Sequence, residues 1–147
     1  SAWVATPRGL GALRAGATVT EAWRAIDPGL PAPDSLEPCD HIAVPGAPGA
    51  VLAMIVDGRV ARIEVRDSVV ATDRGARVGD SEARVLQLYG ERATVEPHKY
   101  TDGHYLVVTP DAAADSAYRL IFETDGERVL QYRVGLLPPV AWVEGCS

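Results

Sequence analysis

Short apolar stretches alternate with polar and glycine-rich segments along the chain, and the spacing of one stretch near the N-terminus is helical. Thr18 is a favourable N-cap residue, and Glu21 three residues later completes a capping box. Ala22, Trp23 and Ile26 then recur on one side of a helix of 3.6 residues per turn. The pattern therefore predicts a short amphipathic helix from residue 18, which ends where an Asp-Pro-Gly sequence begins at residue 27.

A second stretch repeats this pattern about sixty residues later. Ser81 is the N-cap residue, and Val85, Leu88 and Tyr89 have the spacing of an inward face. Gly90 is a suitable C-terminal stop for a helix of seven to nine residues.

Strands are predicted after each helix. Asp57-Gly58 lies between two apolar runs and is a strong hairpin signal. Alternation in the strand that follows it places Ile63 toward the core and Arg62, Glu64 and Arg66 toward water. The first set of predicted strands covers residues 40–44, 51–56 and 59–66, and the second covers 93–96, 105–109, 118–123, 128–134 and 140–144. A helical turn is predicted at residues 10–15.

The order of helix, strands and Asp-Gly hairpin is thus the same in both halves of the chain. We predict one α+β domain over residues 1–147, built from two tandem helix-plus-antiparallel-meander units with the helices on one face of the sheet. The pseudo-repeats span about residues 9–68 and 69–147.

Composition narrows the classes of function. Forty-seven per cent of the 147 residues are hydrophobic, which is enough for a core, and the net charge of −6 argues against a nucleic-acid partner. No apolar run has the length of a membrane span. The chain starts at Ser1 without a methionine, so we expect a processed product whose signal peptide preceded this residue.

The two cysteines, Cys39 and Cys146, lie more than 100 residues apart. In a cytosolic protein they would be two separate thiols, whereas in an exported protein they would form a disulfide. We expect the disulfide, which would attach the predicted C-terminal strand to the first half.

Residues 97–105 are the strongest candidate for a functional site in the sequence. They contain the single lysine, two of the three histidines and two of the five tyrosines. Concentrated titratable and aromatic groups on one loop are typical of recognition sites. The alternative is an ordinary hairpin that turns at Asp102-Gly103, with its tyrosines packed on the core. The candidate binding residues are His98, Lys99, Tyr100, Asp102, His104 and Tyr105.

The sequence supports an enzymatic site less well than it supports a binding loop. Ser81 could be a nucleophile, but the capping role explains both it and Thr18. Cys39 and His41 could form a dyad only if the thiol were free. A metal site from His98 and His104, with Asp102 or His41, matches no known ligand spacing. We therefore expect no catalytic residue, no metal ligand and no cofactor.

The helix starts Gly16-Ala17-Thr18 and Gly79-Asp80-Ser81, together with the duplication, resemble the β-lactamase-inhibitor-protein-like fold. Small outer-membrane lipoproteins of the SmpA/OmlA type carry one related unit. The sequences at residues 57–63, 79–82, 97–100 and 144–146 are similar to those of uncharacterised secreted or lipid-anchored bacterial proteins. The single cysteine pair departs from the inhibitor pattern of one disulfide per repeat.

This resemblance implies a periplasmic or secreted protein, with a lipid anchor upstream of Ser1 as one form of attachment, and a binding role. The expected function is a non-enzymatic module that recognises a protein or cell-envelope component. A small hydrolase or metal-dependent enzyme that uses loop 98–105 is the alternative.

Overall fold

The computed structural model describes residues 3–146, which form an α+β fold with two antiparallel sheets and two short α-helices. Ser147 and the first two residues, including the expected processing point at Ser1, lie outside this range. The helices are α1 (Val19–Ile26) and α2 (Glu82–Tyr89). The strands are β1 (Ala5–Thr6), β2 (Gly9–Leu10), β3 (Leu13–Arg14), β4 (Cys39–Ala43), β5 (Val51–Val56), β6 (Arg59–Val65), β7 (Ala93–Pro97), β8 (His104–Val108), β9 (Tyr118–Thr124) and β10 (Val129–Leu136).

Strands β1 to β3 form a small sheet, and the other seven form a sheet in the order β4-β5-β6-β10-β9-β8-β7. The central pair is β6 with β10, in which Glu64 lies opposite Arg133 and Ile63 opposite Val134. Strands from the first half of the chain therefore lie on one side of this pair, and strands from the second half lie on the other.

The main core lies on one face of the large sheet. Its buried residues come from both helices, both sheets and the connecting segments, and include Trp23 on α1 and Val85 on α2. Phe122 on β9 lies between two tyrosine rings, with centroids 5.9 Å from Tyr89 and 5.5 Å from Tyr132. The predicted inward faces of both helices are thus confirmed.

The two helix starts make matching contacts with the hairpin of their own half. The Gly16 amide donates to the Val60 carbonyl at 2.7 Å, and the Gly79 amide donates to the Val129 carbonyl at 2.9 Å. Arg59 returns a hydrogen bond of 3.0 Å to the Gly16 carbonyl. Arg128 does the same at the Gly79 carbonyl, also at 3.0 Å. Each glycine has a positive φ, which lets the chain turn from the hairpin into the helix.

Both predicted N-caps are confirmed. The Thr18 hydroxyl accepts a hydrogen bond from the Glu21 amide, and the Glu21 carboxylate accepts one from the Thr18 amide, which makes a complete capping box. The Ser81 hydroxyl accepts a hydrogen bond from the Arg84 amide.

Two predicted elements are wrong. Residues 10–15 form β2, a turn and β3 rather than a helical turn, because these short strands pair with each other and with β1. Residues 140–144 form no strand. Pro139–Ala141 is instead a short 3₁₀ helix, and the chain continues through turns to the disulfide.

The central part of the second face of the large sheet, over β6, β9 and β10, is covered by residues 137–146, here called the C-terminal segment. Val140 is fully buried against Tyr105 and Ile121, with Val143 partly buried beside them. Cys146 forms the predicted disulfide with Cys39 on β4. The prediction that Arg62 and Glu64 face water is therefore wrong, since they lie beneath this segment and are 4% and 3% exposed. Arg66, beyond its edge, is exposed as predicted.

Candidate functional site

A buried ion pair lies under the C-terminal segment. Arg62 donates from Nε and Nη2 to the Glu64 carboxylate at 3.0 and 2.8 Å. Its remaining nitrogen, Nη1, donates to the backbone carbonyls of Pro139 at 3.1 Å and Trp142 at 2.7 Å. Arg62 therefore holds the C-terminal segment against β6 while its own charge is neutralised by Glu64.

Glu64 has two further partners, His41 Nε2 at 3.0 Å and Arg66 Nη2 at 2.6 Å. Burial alone would raise the pKa of this carboxyl group, but the Arg62 charge and the hydrogen bonds of its neighbours together lower that pKa below its ordinary value. Glu64 is therefore an anion that binds three basic side chains.

The second half of the sheet has a related group, in which a glutamate again binds basic side chains. Arg133 on β10 donates to the Glu123 carboxylate and to the Val140 carbonyl, both at 2.5 Å. The other oxygen of Glu123 lies 3.1 Å from His98 Nε2. Each half thus contributes a glutamate with a histidine and an arginine, and the first half adds a second arginine, Arg66. Arg62 and Arg133 both hold the C-terminal segment.

The structure divides the candidate residues of loop 97–105 among three environments. His98 and Tyr105 lie together beside the C-terminal segment, with stacked rings 4.5 Å apart. The Tyr100 amide donates to His98 Nδ1 at 3.1 Å, so both ring nitrogens of His98 have partners within the protein. Tyr105 is buried, as the hairpin interpretation expected for it.

His104 points toward helix α2 instead. Its Nδ1 lies 2.7 Å from the Glu82 carboxylate, which also accepts a hydrogen bond from the Thr124 hydroxyl. His98 therefore contacts Glu123 on β9, whereas His104 contacts Glu82 on α2. Among residues 3–146, no group of three or more His, Cys, Asp or Glu side chains could hold a metal ion.

The remaining candidates, Lys99, Tyr100 and Asp102, are exposed. Tyr100 is 59% exposed, and its hydroxyl donates to the Glu144 carboxylate of the C-terminal segment. Lys99 Nζ lies 5.2 Å from the centre of the Tyr100 ring. A hydrogen bond with Tyr100 and the nearby charges raise the pKa of Lys99, which keeps it a cation.

An open groove of about 530 Å³ lies beside these residues. Its lining includes Lys99 and the end of the C-terminal segment, where Trp142 is 39% exposed. We call the set of residues around this groove the Tyr100–Trp142 patch, which consists of the exposed residues Lys99, Tyr100, Trp142 and Glu144 and the partly buried Val143. The sequence indicated only the loop half of the patch, because the fold alone places the C-terminal segment beside the loop.

No family model matches the chain, and no curated protein matches it in sequence. Among solved structures, the uncharacterized protein YfeY from Escherichia coli has a similar fold, with a TM-score of 0.50 at 14% sequence identity. The alignment covers 90% of this chain and 99% of YfeY. The similarity concerns the fold of nearly the whole chain, and says nothing of the residues on either face of the sheet.

Within residues 3–146, no helix has both the length and the apolar character that a membrane crossing requires.

Proposed function

We propose that this chain is an exported, non-enzymatic binding module that recognises a protein or cell-envelope component through the Tyr100–Trp142 patch. The observation that carries the proposal is that two exposed aromatic side chains come from segments more than 40 residues apart. Trp142 lines the groove together with Lys99 and Glu144, and Tyr100 is bonded to Glu144. Tyrosine and tryptophan are the side chains that most often dominate binding energy at protein interfaces.

The way the patch is held also supports recognition. The disulfide, Arg62 and Arg133 attach the C-terminal segment at three points, and Tyr100 is attached to that segment through Glu144. A surface that is already ordered loses less conformational entropy on binding than a mobile one does. The groove is thus suited to bind a partner without rearranging.

Export is supported by the disulfide, since such bonds persist in oxidising compartments. We also infer that the two halves are tandem units, because the matching contacts of Gly16 and Gly79 give each half its own helix-to-hairpin junction. A lipid anchor upstream of Ser1 is one form that retention at the envelope would take.

The alternative, a hydrolase or metal-dependent enzyme on loop 98–105, needs a histidine nitrogen that is open to substrate or metal. Both ring nitrogens of His98 are engaged, and His104 lies against Glu82 on another side of the loop. The engaged nitrogens of His98, and the different carboxylates that the two histidines contact, count against a shared catalytic or metal site.

The test compares two double variants in a pull-down from envelope extract, followed by affinity measurement on the recovered partner. Tyr100→Ala with Trp142→Ala removes both aromatic side chains of the patch. Val69→Ala with Leu130→Ala is the matched control, because these side chains are 52% and 53% exposed and lie outside the patch. We expect the patch variant to weaken the Kd by about a hundredfold or more, with an unchanged melting temperature. Equal affinities for the two double variants would refute the site.

A further inference from the structure

A second cavity lies away from the Tyr100–Trp142 patch and shares no residue with its groove. It is a cleft of about 440 Å³ between the small sheet, the C-terminal end of α2 and the loop that follows β8. This volume is in the range of small-molecule sites. Its walls include apolar groups such as Val4, Pro7, Val108 and Pro110 and the ring of Tyr89.

The cleft is cationic although the protein is an anion overall. Four arginines and three aspartates line it, which leaves a local charge of +1 (four minus three) in a chain of net charge −6. The arginines are Arg8, Arg14, Arg74 and Arg92, and the aspartates are Asp73, Asp111 and Asp115. Such a local excess of positive charge attracts anions into a cleft.

Two of these arginines are held in place by the protein. Arg74 donates to the Leu88 carbonyl at the end of α2 at 3.1 Å, and its guanidinium lies 5.5 Å from the centre of the Tyr89 ring. Arg92 donates to the Pro110 carbonyl at 3.3 Å. Because their positions are fixed by other contacts, their remaining donors are pre-organised for a shared acceptor.

That shared acceptor is the carboxylate of Asp111. One oxygen lies 3.2 Å from Arg74 Nη2, and the other lies 2.5 Å from Arg92 Nε. Asp111 is 61% exposed and belongs to the surface loop between β8 and β9. Its two ion pairs are therefore weak, because water screens the charges. The arrangement shows that the cleft can hold a carboxylate between two arginines, supplied here by a residue that solvent can readily compete with.

We propose that this cleft binds a small organic anion, with its carboxylate or phosphate between Arg74 and Arg92 and its apolar body along the Tyr89 side. Asp111 occupies the anion position in the free protein and acts as an internal competitor. Two consequences of opposite sign follow. Removal of Asp111 strengthens binding, whereas removal of either arginine weakens it.

Amide NMR titrations test this with phenylpropionate, with its neutral analogue phenylpropanol and with inorganic phosphate as probes. We expect phenylpropionate to shift amides around Arg74, Tyr89 and Arg92, and to bind about tenfold more tightly than phenylpropanol. Asp111→Ala should tighten phenylpropionate binding by about three- to tenfold, because two exposed ion pairs no longer compete. Arg74→Gln and Arg92→Gln should each weaken it by about tenfold.

Glu127→Ala is the matched control, since it removes the same charge from an exposed site outside the cleft. An equal gain for Glu127→Ala and Asp111→Ala would overturn the proposal, because net charge alone would then explain the effect. Phosphate binding as tight as that of phenylpropionate would overturn the role of the apolar wall. Absence of shifts in both wild type and Asp111→Ala would overturn the site itself. None of these outcomes bears on the Tyr100–Trp142 patch.

Discussion

Glu64 is the residue on which the buried face of the sheet depends most. It is 3% exposed and neutralises Arg62, whose three donor nitrogens are all engaged. A buried ion pair gains little over a well-packed apolar pair, because both charges lose their hydration. Loss of one partner is far more costly, since the other charge then stays buried without a counter-charge.

The first prediction is therefore that Glu64→Gln lowers the free energy of unfolding by about 3 kcal/mol or more. Urea denaturation followed by circular dichroism measures the change. Glu127→Gln, at an exposed position, should stay within about 0.5 kcal/mol of wild type. A loss below about 1 kcal/mol for Glu64→Gln would mean that water reaches Arg62 in the folded protein.

The second prediction concerns pH. The pKa of Glu64 is lower in the folded chain than its ordinary value of about 4.3. Its ionised form therefore contributes stability that is fully present above about pH 4.3 and is lost as pH falls through the lower pKa of the folded state. The difference in unfolding free energy between wild type and Glu64→Gln should therefore shrink as the pH falls below about 4.3. A difference that grows on acidification would contradict the direction of this shift.

At the scale of elements, the two helices differ in how their first turns are capped. Thr18 and Glu21 each accept a hydrogen bond from the other's backbone amide. The Thr18 amide and hydroxyl both donate to the Glu21 carboxylate, which holds the pKa of Glu21 below its ordinary value. The Ser81 hydroxyl oxygen accepts a hydrogen bond from the Arg84 amide, without the reciprocal bond of a capping box. Helix α1 therefore has the more complete cap.

The third prediction is that Thr18→Ala and Ser81→Ala each cost about 1 kcal/mol of unfolding free energy, with the larger loss at Thr18. Thr20→Ala is the control, because this residue lies inside α1 and alanine has the higher helix propensity. Chemical denaturation of the three variants makes the comparison. Equal values for all three would show that capping contributes nothing measurable.

These caps and the Asp57-Gly58 hairpin could be predicted from sequence because their signals lie within a few residues. The secondary structure of residues 10–15 and 140–144 could not be predicted in this way. Strand pairing in the small sheet with β1 determines the structure of residues 10–15, and packing against β6, β9 and β10 determines that of residues 140–144. Arg62 and Glu64 alternate with apolar residues as on a solvent-facing side of a strand, and so their burial could not be predicted either. That pattern does not indicate whether a distant segment covers the face.

The candidate site, too, could be predicted from the sequence only in part. Loop 97–105 was recognisable by its composition, yet His98, His104 and Tyr105 are held by contacts with Glu123, Glu82 and Ile121. The sequence did not place Trp142 on the same surface as Tyr100, because the C-terminal segment reaches this loop only in the folded chain, where Glu144 is bonded to Tyr100. The half of the patch that comes from the C-terminal segment could not be predicted, because it lies about 40 residues from the loop in the sequence.

For the molecule as a whole, the C-terminal segment links the two halves across the β6–β10 pair. Arg62 holds it from the first half and Arg133 from the second, while Cys146 is bonded to Cys39 on the edge strand β4. The segment thus closes the buried charged face and carries Trp142 to the patch. Stability and the proposed binding function consequently depend on the same attachment.

The last prediction tests that attachment with Cys39→Ala and Cys146→Ala together. The disulfide joins residues 107 apart, so its loss should lower the free energy of unfolding by up to about 4–5 kcal/mol through a less constrained unfolded chain. Denaturation with and without reductant measures this: reductant should destabilise wild type and leave the double variant unchanged. Intact mass before reduction should be two hydrogens lower than after it. Two thiols that alkylate under native, non-reducing conditions would refute the bond. A reduced protein of unchanged stability would show that Arg62 and Arg133 suffice to hold the segment.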